Sequence, residues 1–368
     1  MMNSNILDRI VKPLLAWYDK GHRELPWRED KNPYRIWVSE IMLQQTRVEA
    51  VIPYFTRFMD VFPDIRALAM ADDDLLLKNW EGLGYYSRAR NLKKAAGIIE
   101  EQYGGRMPDT WEELQMLPGI GSYTAGAIAS IAYGRCVPAV DGNVLRVLSR
   151  LRMDDEFITR QAVKKRVEEE LLAVMPKDRP GDFNQALMEL GATVCIPNGE
   201  PKCGECPWKE LCLAKAQNCT NEYPKKEKKK GRKIELKTVL ILKHREDVAI
   251  HKRPDKGLLA GLYELPNLEG HLDEEEVISR LRDKGVSPIR IERLPDAVHV
   301  FSHKEWHMVA YAVRIDELLE RGIDTKEEYL FIHPKETEAK YPIPSAFLAY
   351  AEYLNIKLGN EKFEKRGN

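Results

Sequence analysis

LPGIGSYTAGAIASIAYG, residues 117–134, decides the fold. Pro118, Gly119 and Gly121 punctuate a turn that feeds directly into small and apolar residues at helical spacing. Glycines let a backbone come close to a ligand, and a helix starting there offers free N–H groups to an anion such as a DNA phosphate. On its own the pentapeptide also fits an ordinary helix turn. The next stretch, VPAVDGNVLRVLSRL (137–151), sets Asp141 at the head of another helix. Taken singly, Asp141 reads as an N-cap worth about 1 kcal/mol.

The same helical periodicity runs outward in both directions. Residues 5 to 216 read as nearly all helix, with apolar spacing through Ile6–Tyr18, Ile36–Phe58, Asp73–Trp80, Arg88–Tyr103, Val144–Leu151 and Val163–Met175. The character changes after Cys219. KKEKKKGRK (225–233) has nothing apolar to bury and reads as a solvated linker. Beyond it KTVLILKH (237–244) and DVAIHKRP (247–254) read as a hairpin, and DAVHVFSHKEWHMVAYAVRI (296–315) alternates as strands do. Helical stretches near Glu274–Lys284 and Ser345–Asn355 make this second part α+β. The expected boundaries are 1–220 for the helical domain, 221–236 for the linker and 237–368 for the α+β domain.

Composition narrows the class without naming a function. A chain of 368 residues, 43% hydrophobic and 31% charged, is long enough for two globular cores. No apolar run reaches the roughly 18 residues of a membrane span, and the opening MMNSNILDRIVKPLLAW does not read as a secretory signal. A cytoplasmic protein with reduced thiols is the expectation, nucleoid-associated if bacterial. A net charge of −1 does not by itself favour nucleic acid, so contact with DNA must come from local motifs.

Four of the six cysteines crowd into CIPNGEPKCGECPWKELC (195–212). Clustered thiols in a reduced compartment point to a metal or iron–sulfur site rather than disulfides. Structural zinc sites more often use two separated Cys-x-x-Cys pairs, and only one such pair is present, yet spacing alone leaves zinc open.

With these pieces in place, WVSEIMLQQTRVEAVIPYF (37–55), WEGLGYYSRARNL (80–92) and VDGNVLRVLSRL (140–151) are decisive. Over residues 6–215 the chain resembles the helix–hairpin–helix DNA glycosylases that include endonuclease III, and within them the adenine glycosylases of the MutY type. The resemblance implies a [4Fe-4S] cluster on Cys195, Cys203, Cys206 and Cys212. The family usually places six residues between the first two of these cysteines; here there are seven, the extra one in the loop IPNGEPK.

Cleaving a purine N-glycosidic bond requires protonation of a poor leaving group and stabilisation of an oxocarbenium ion, work suited to two carboxylates in unlike environments. Glu40, among Trp37, Val38, Ile41 and Leu43, is expected to be buried and to keep a proton. The resemblance implies that Glu40 protonates adenine and helps position water, that Asp141 stabilises the sugar cation, and that Tyr123 supports both. Strand-cleaving relatives carry a lysine amine where Tyr123 stands, which favours a glycosylase without lyase activity. The resemblance further implies an adenine pocket of Trp27, Arg28, Leu43, Val48 and Gln185. DNA contacts are implied at Gln45, Thr46, Leu83, Gly84, Tyr85, Gly119 and Gly121, with Gln45, Leu83 and Tyr85 filling the space of a flipped base.

GLLAGLYELP (257–266) resembles the Nudix fold, while VISRLRDKGV (277–286) lacks the metal-binding glutamates of a Nudix pyrophosphatase. Phe301, Ser302 and His303 are implied to read 8-oxoguanine, since Ser and His can hydrogen-bond a base edge. The expected partner is duplex DNA with adenine opposite 8-oxoguanine or guanine, bound by a monomer with no membrane association. The rival readings are an endonuclease III-like glycosylase/lyase acting on damaged pyrimidines, a non-catalytic mismatch binder and a nucleotide pyrophosphatase.

Overall fold

The computed structural model describes residues 4–227, 231–318 and 329–358. Residues 1–3 of the expected helical domain, 228–230 of the expected linker, and 319–328 and 359–368 of the expected C-terminal domain lie outside the described residues. Contacts divide the chain into two compact units, Met1–Met70 with Asn91–Lys229, and Ala71–Arg90 with Lys230–Asn368. The division is not the contiguous one expected from chain order, because twenty residues from the helical stretch pack within the second unit.

The first unit is helical. Its elements are α1 (Ser4–Gly21), α2 (Pro33–Leu43), α3 (Val48–Val61), α4 (Ile65–Ala69), then, beyond α5 (Asp73–Trp80), α6 (Ser87–Tyr103), which begins in the other unit, α7 (Trp111–Met116), α8 (Ser122–Tyr133), α9 (Gly142–Arg152), α10 (Gln161–Val174) and α11 (Pro180–Thr193). Caps fix the starts: the Asn32 side chain accepts from Tyr34 N at 2.9 Å ahead of α2, and Thr110 accepts from Glu113 N ahead of α7. Leu7, Ile10 and Leu14 of α1 meet Val147 and Leu148 of α9, Leu171 of α10 and Leu187 of α11 in one core. Each such side chain contributes roughly 1.5–3 kcal/mol on burial. Trp208 closes that core beneath the cysteine segment, its indole donating to the Ile10 carbonyl at 3.0 Å.

One difference from the sequence reading concerns this unit. The stretch Ile36–Phe58 is not one helix: α2 ends at Leu43 and α3 begins at Val48, with Gln45 between them at φ +59°. The apolar period carries across the break, which hides it. The helix α11 falls inside the stretch expected to be helical, but no clear apolar period marks it, since Phe183, Ala186, Leu187 and Leu190 are mixed with the buried polar Asn184 and Glu189.

The second unit is a mixed sheet. Its strands are β1 (Lys233–His244), β2 (Asp247–Lys252), β3 (Tyr263–Glu264), β4 (Asn267–Glu269), β5 (Val286–Val300), β6 (Lys304–Leu318) and β7 (Leu330–Ile332). The order is β3-β2-β1-β6-β5, with β1 and β6 parallel and β5 and β6 an antiparallel hairpin. Alternation sends Val239 and Ile241 of β1 into one core and Leu240 and Leu242 into another. Val277 and Leu281 of the helix α12 (Glu274–Asp283) cover the second face; Phe347 and Tyr350 cover the first. Strand pairing starts at Lys233, inside the stretch expected as linker, because Lys233–Lys237 run alongside Lys304–Met308 of β6. The helical reading of Ser345–Asn355 resolves into two short 3-10 turns, Ser345–Tyr350 and Glu352–Leu354.

Inside this unit α5 is pinned to the sheet side. The Lys78 ammonium donates to the carbonyls of Thr337 and, at 2.9 Å, Tyr341. Asp74 accepts from Lys252 at 2.9 Å and from the Tyr263 hydroxyl at 3.0 Å, and Arg90 donates to the Ala260 carbonyl at 2.6 Å.

Candidate active site

Residues of α2, α3, α8, α9, α10 and α11 of the first unit converge on a cleft of about 1140 Å³. Glu40, in the last turns of α2, is 6% exposed. It packs there because α2 is buried on nearly every side, against α3 and α8. The Tyr123 hydroxyl, in the first turn of α8, donates to Glu40 Oε2 at 2.6 Å and lies 2.9 Å from the Met188 sulfur of α11. Burial pushes the Glu40 carboxyl up to about 7, with the Asp141 charge adding and the Tyr123 hydrogen bond and Arg28 opposing. Burial likewise holds the Tyr123 hydroxyl well above its ordinary range, so it stays a donor.

Asp141 is the N-cap of α9, as its place in the sequence suggests, and it faces the same cleft. Its Oδ1 accepts from Val144 N at 2.8 Å and its Oδ2 from the Asn143 amide at 2.7 Å. Burial raises its carboxyl and these hydrogen bonds oppose the rise. Glu40 thus has one hydroxyl donor for its carboxylate while Asp141 has several N–H donors, so hydrogen bonding favours the ionised form more at Asp141 than at Glu40. Asn143 is fixed from behind by α11: a Cβ on Gly191 would lie 2.6 Å from Asn143 Cβ, so only glycine permits that approach.

The turn before α8 needs glycine at one of its two positions. Gly119 has φ +81° and a Cβ there would meet Asn91 Cβ at 2.8 Å, whereas Gly121 is at φ −92° with open space around it. Gly121 caps α8 without a side chain, leaving its first N–H groups to another acceptor.

The cleft also gathers Trp27, Arg28, Leu43, Gln45, Thr46, Val48, Gly121 and Gln185 of the expected site. Gly119 does not line it. Gly84 and Tyr85 line a different cleft, of about 530 Å³, in the second unit, together with Phe301, Ser302 and His303. There Ser302 and His303 stand exposed at the tip of the β5–β6 hairpin, closed by Phe301 N donating to the Lys304 carbonyl at 2.8 Å. Phe301 packs edge-on against Trp306, centroids 5.0 Å apart, which orients the tip. Gln45 and Tyr85 are exposed and both hold positive φ, a strained state for residues with side chains. Leu83 departs from the expectation for a duplex-filling residue. It is 7% exposed, held in the turn where its N–H donates to the Trp80 carbonyl and its own carbonyl accepts from Arg88.

Cys195, Cys203, Cys206 and Cys212 are free thiols around one small cavity, with Arg150 and Lys215 beside them. Arg150 donates to Cys195 Sγ at 3.3 Å. Among the described residues no three His, Cys, Asp or Glu side chains gather as ligands to one ion. The seven-residue loop between Cys195 and Cys203 closes on itself, Lys202 N donating to the Val194 carbonyl at 3.0 Å, with Gly199 turning at φ +77°.

Residues 38–172 match the family model of the HhH-GPD superfamily base excision DNA repair proteins, and residues 238–353 match the NUDIX domain. The adenine DNA glycosylase of Mus musculus is 37% identical, covering 83% of this chain and 70% of its own length. That of Buchnera aphidicola from Acyrthosiphon pisum is 35% identical, covering 87% and 89%. The chain belongs to the adenine DNA glycosylase family. A thermostable thymine-DNA glycosylase structure, 27% identical with a TM-score of 0.53, covers 59% of this chain and all of its own. An endonuclease III–DNA covalent intermediate, 24% identical with a TM-score of 0.51, has the same helical fold.

This adenine glycosylase is therefore a base-excision-repair enzyme that acts on DNA. Its cleft holds several residues that the sequence reading passed over: Asn143, Met188, Arg23 and Glu189. Asn143 was visible within DGN, two positions after Asp141. Met188 and Glu189 follow Gln185 at helical spacing, so the same face of α11 carries all three toward the cleft.

Proposed function

We propose that this glycosylase hydrolyses the N-glycosidic bond of adenine mispaired with 8-oxoguanine or guanine in duplex DNA, without cleaving the strand. The observation that carries the reading is the Glu40–Tyr123–Asp141 arrangement in one cleft. A flipped adenine entering it meets a carboxyl able to hold a proton near neutral pH for the leaving purine. As the C1′–N9 bond lengthens, the capped carboxylate of Asp141 stabilises the positive sugar. The hairpin turn offers the Tyr123 hydroxyl where a lyase would offer an amine, so no Schiff base forms there. The exposed Ser302 and His303 supply polar groups for the lesion's base edge. On this reading the protein acts as a monomer in the cytoplasm, at the DNA.

The donor set fits a [4Fe-4S] cluster on Cys195, Cys203, Cys206 and Cys212. All four cysteines line one small cavity, and their single Cys-x-x-Cys pair suits a cluster better than a structural zinc site with two such pairs. Arg150 is positioned to offset thiolate charge. A bound cluster ties residues 195–212 together by ligation. Purified protein should hold about four irons per chain; stoichiometric zinc in an active, colourless protein would overturn the assignment.

The deciding assay incubates the enzyme with duplexes carrying A opposite 8-oxoG, A opposite G, and thymine glycol, scoring released base and strand scission separately. Adenine release without scission is expected. Scission at thymine glycol would favour the glycosylase/lyase reading.

A further inference from the structure

Glu189 is a buried carboxylate in the catalytic cleft that takes no part in the chemistry above. It is 2% exposed, on α11, one residue from Met188. Arg23 engages it with both ends of its fork, Nε to Oε1 at 2.7 Å and Nη2 to Oε2 at 3.0 Å, and its backbone N–H donates to Oε1 at 3.3 Å. Arg28 Nη2 donates to Oε2 at 2.9 Å, and Arg28 Nη1 donates to the Arg23 carbonyl at 3.0 Å. Fork pairing of this kind fixes direction as well as charge.

The cluster carries two positive charges and one negative, and it lines the same cleft as Glu40. Arg28 is among the charges that Glu40 senses, favouring its ionised form. The groups facing Glu40 are Tyr123 from α8, Asp141 at the head of α9, and Arg28 from the Pro26–Arg28 turn. Those facing Glu189 are Arg23 and Arg28, with Tyr18 of α1 beneath Arg28, 6.0 Å from guanidinium carbon to ring centre. Burial alone would raise the Glu189 carboxyl, yet the two arginines hold it below the usual range, so it is an ion at neutral pH.

We propose that Glu189 is a positioning residue for base excision: it aims the Arg23 and Arg28 guanidiniums along the cleft wall and offsets their charge at Glu40. The inference rests on the reading of Glu40 as proton donor. Removing the Glu189 charge leaves Arg28 uncompensated and draws the proton from Glu40 at lower pH. Removing Arg23 leaves the Glu189 charge less compensated and has the opposite effect.

The test measures single-turnover adenine release by the full chain across pH, with duplex affinity and melting temperature recorded for each variant. Glu189→Gln should move the alkaline limb of the rate down by about half a pH unit or more. Arg23→Met, at a partly exposed partner, should move it up. Glu189→Asp, which keeps the charge, should return the limb to within ~0.2 unit of the wild type. Opposite shifts in the first two variants, with duplex affinity and melting retained, support the proposal. A purely structural role would lower the active fraction and leave the limb in place, and that result, or shifts of one sign in both variants, overturns it. A wild type with no limb near 7 would remove the proton-donor reading, and the inference with it.

Discussion

The cleft around Glu40 and the hairpin tip at Ser302–His303 are built in opposite ways. In the first, Glu40 is buried, Asp141 is half-buried, and each carboxylate is tied to named donors. In the second, the polar groups stand in solvent with little beyond their own contact, Ser302 Oγ 3.2 Å from His303 Nδ1. Burial is what shifts a carboxyl toward neutrality, so bond cleavage needs a dry, fixed setting. Reading a base edge needs donors and acceptors that can leave water for the ligand, so recognition tolerates exposure. The contrast predicts large losses from changes in the cleft and small ones at the tip.

The sharpest break would come from the two carboxylates. Glu40→Gln should reduce adenine release by about 100- to 10,000-fold, the usual span for a general acid. Asp141→Asn should cost about 100-fold or more. Because Asn caps helices as well as Asp, its melting temperature should stay near the wild type. Quench-flow rates beside thermal melts separate the two effects, and wild-type rates in Asp141→Asn would return that residue to a capping role alone.

A smaller effect is expected from pH. Glu40, raised to about 7, is protonated below that value and loses its proton above it. Adenine release should therefore fall toward tenfold per pH unit on the alkaline side, with an acid limb where Asp141 takes up a proton. As the two carboxyls interact, both limbs belong to the pair. A flat profile from pH 6 to 9 would show that Glu40 is not the acid.

The smallest change belongs to the tip. Ser302→Ala with His303→Ala should cut the preference for 8-oxoG over G opposite adenine by several-fold, about 0.5–1.5 kcal/mol for each hydrogen bond lost. The rate on A opposite G should stay near that of the wild type. An unchanged preference would remove lesion reading from Phe301–His303 and leave the contrast between the regions without its second member.

What the sequence made legible follows the same line. Local signals survive into three dimensions. The turn 117–121, the cap at Asp141 and the β5–β6 alternation appear as the residues suggest. Glu40 could be expected to be buried because its neighbours are apolar. The break at Gln44–Arg47 was hidden because the apolar period continues across it, and the burial of Leu83 because a leucine in a glycine-rich turn looks the same whether it faces inward or out. The ion cluster at Glu189 was illegible for a different reason. Its partners stand 166 and 161 positions away, and no local pattern marks a carboxylate that will meet two arginines.

The anchoring of α5 changes what a deletion can mean. Cutting the chain near Asn221 takes away Lys252, Tyr263 and the Ala260 carbonyl, so Asp74 and Arg90 lose those partners at the same stroke. The neighbouring turn that carries Tyr85 would then be held by fewer ties, although none of its own residues had been altered. Deletion in this protein is not subtraction. A shortened chain reports on a disturbed remainder, whereas point changes at Ser302 and His303 leave the anchorage of α5 whole.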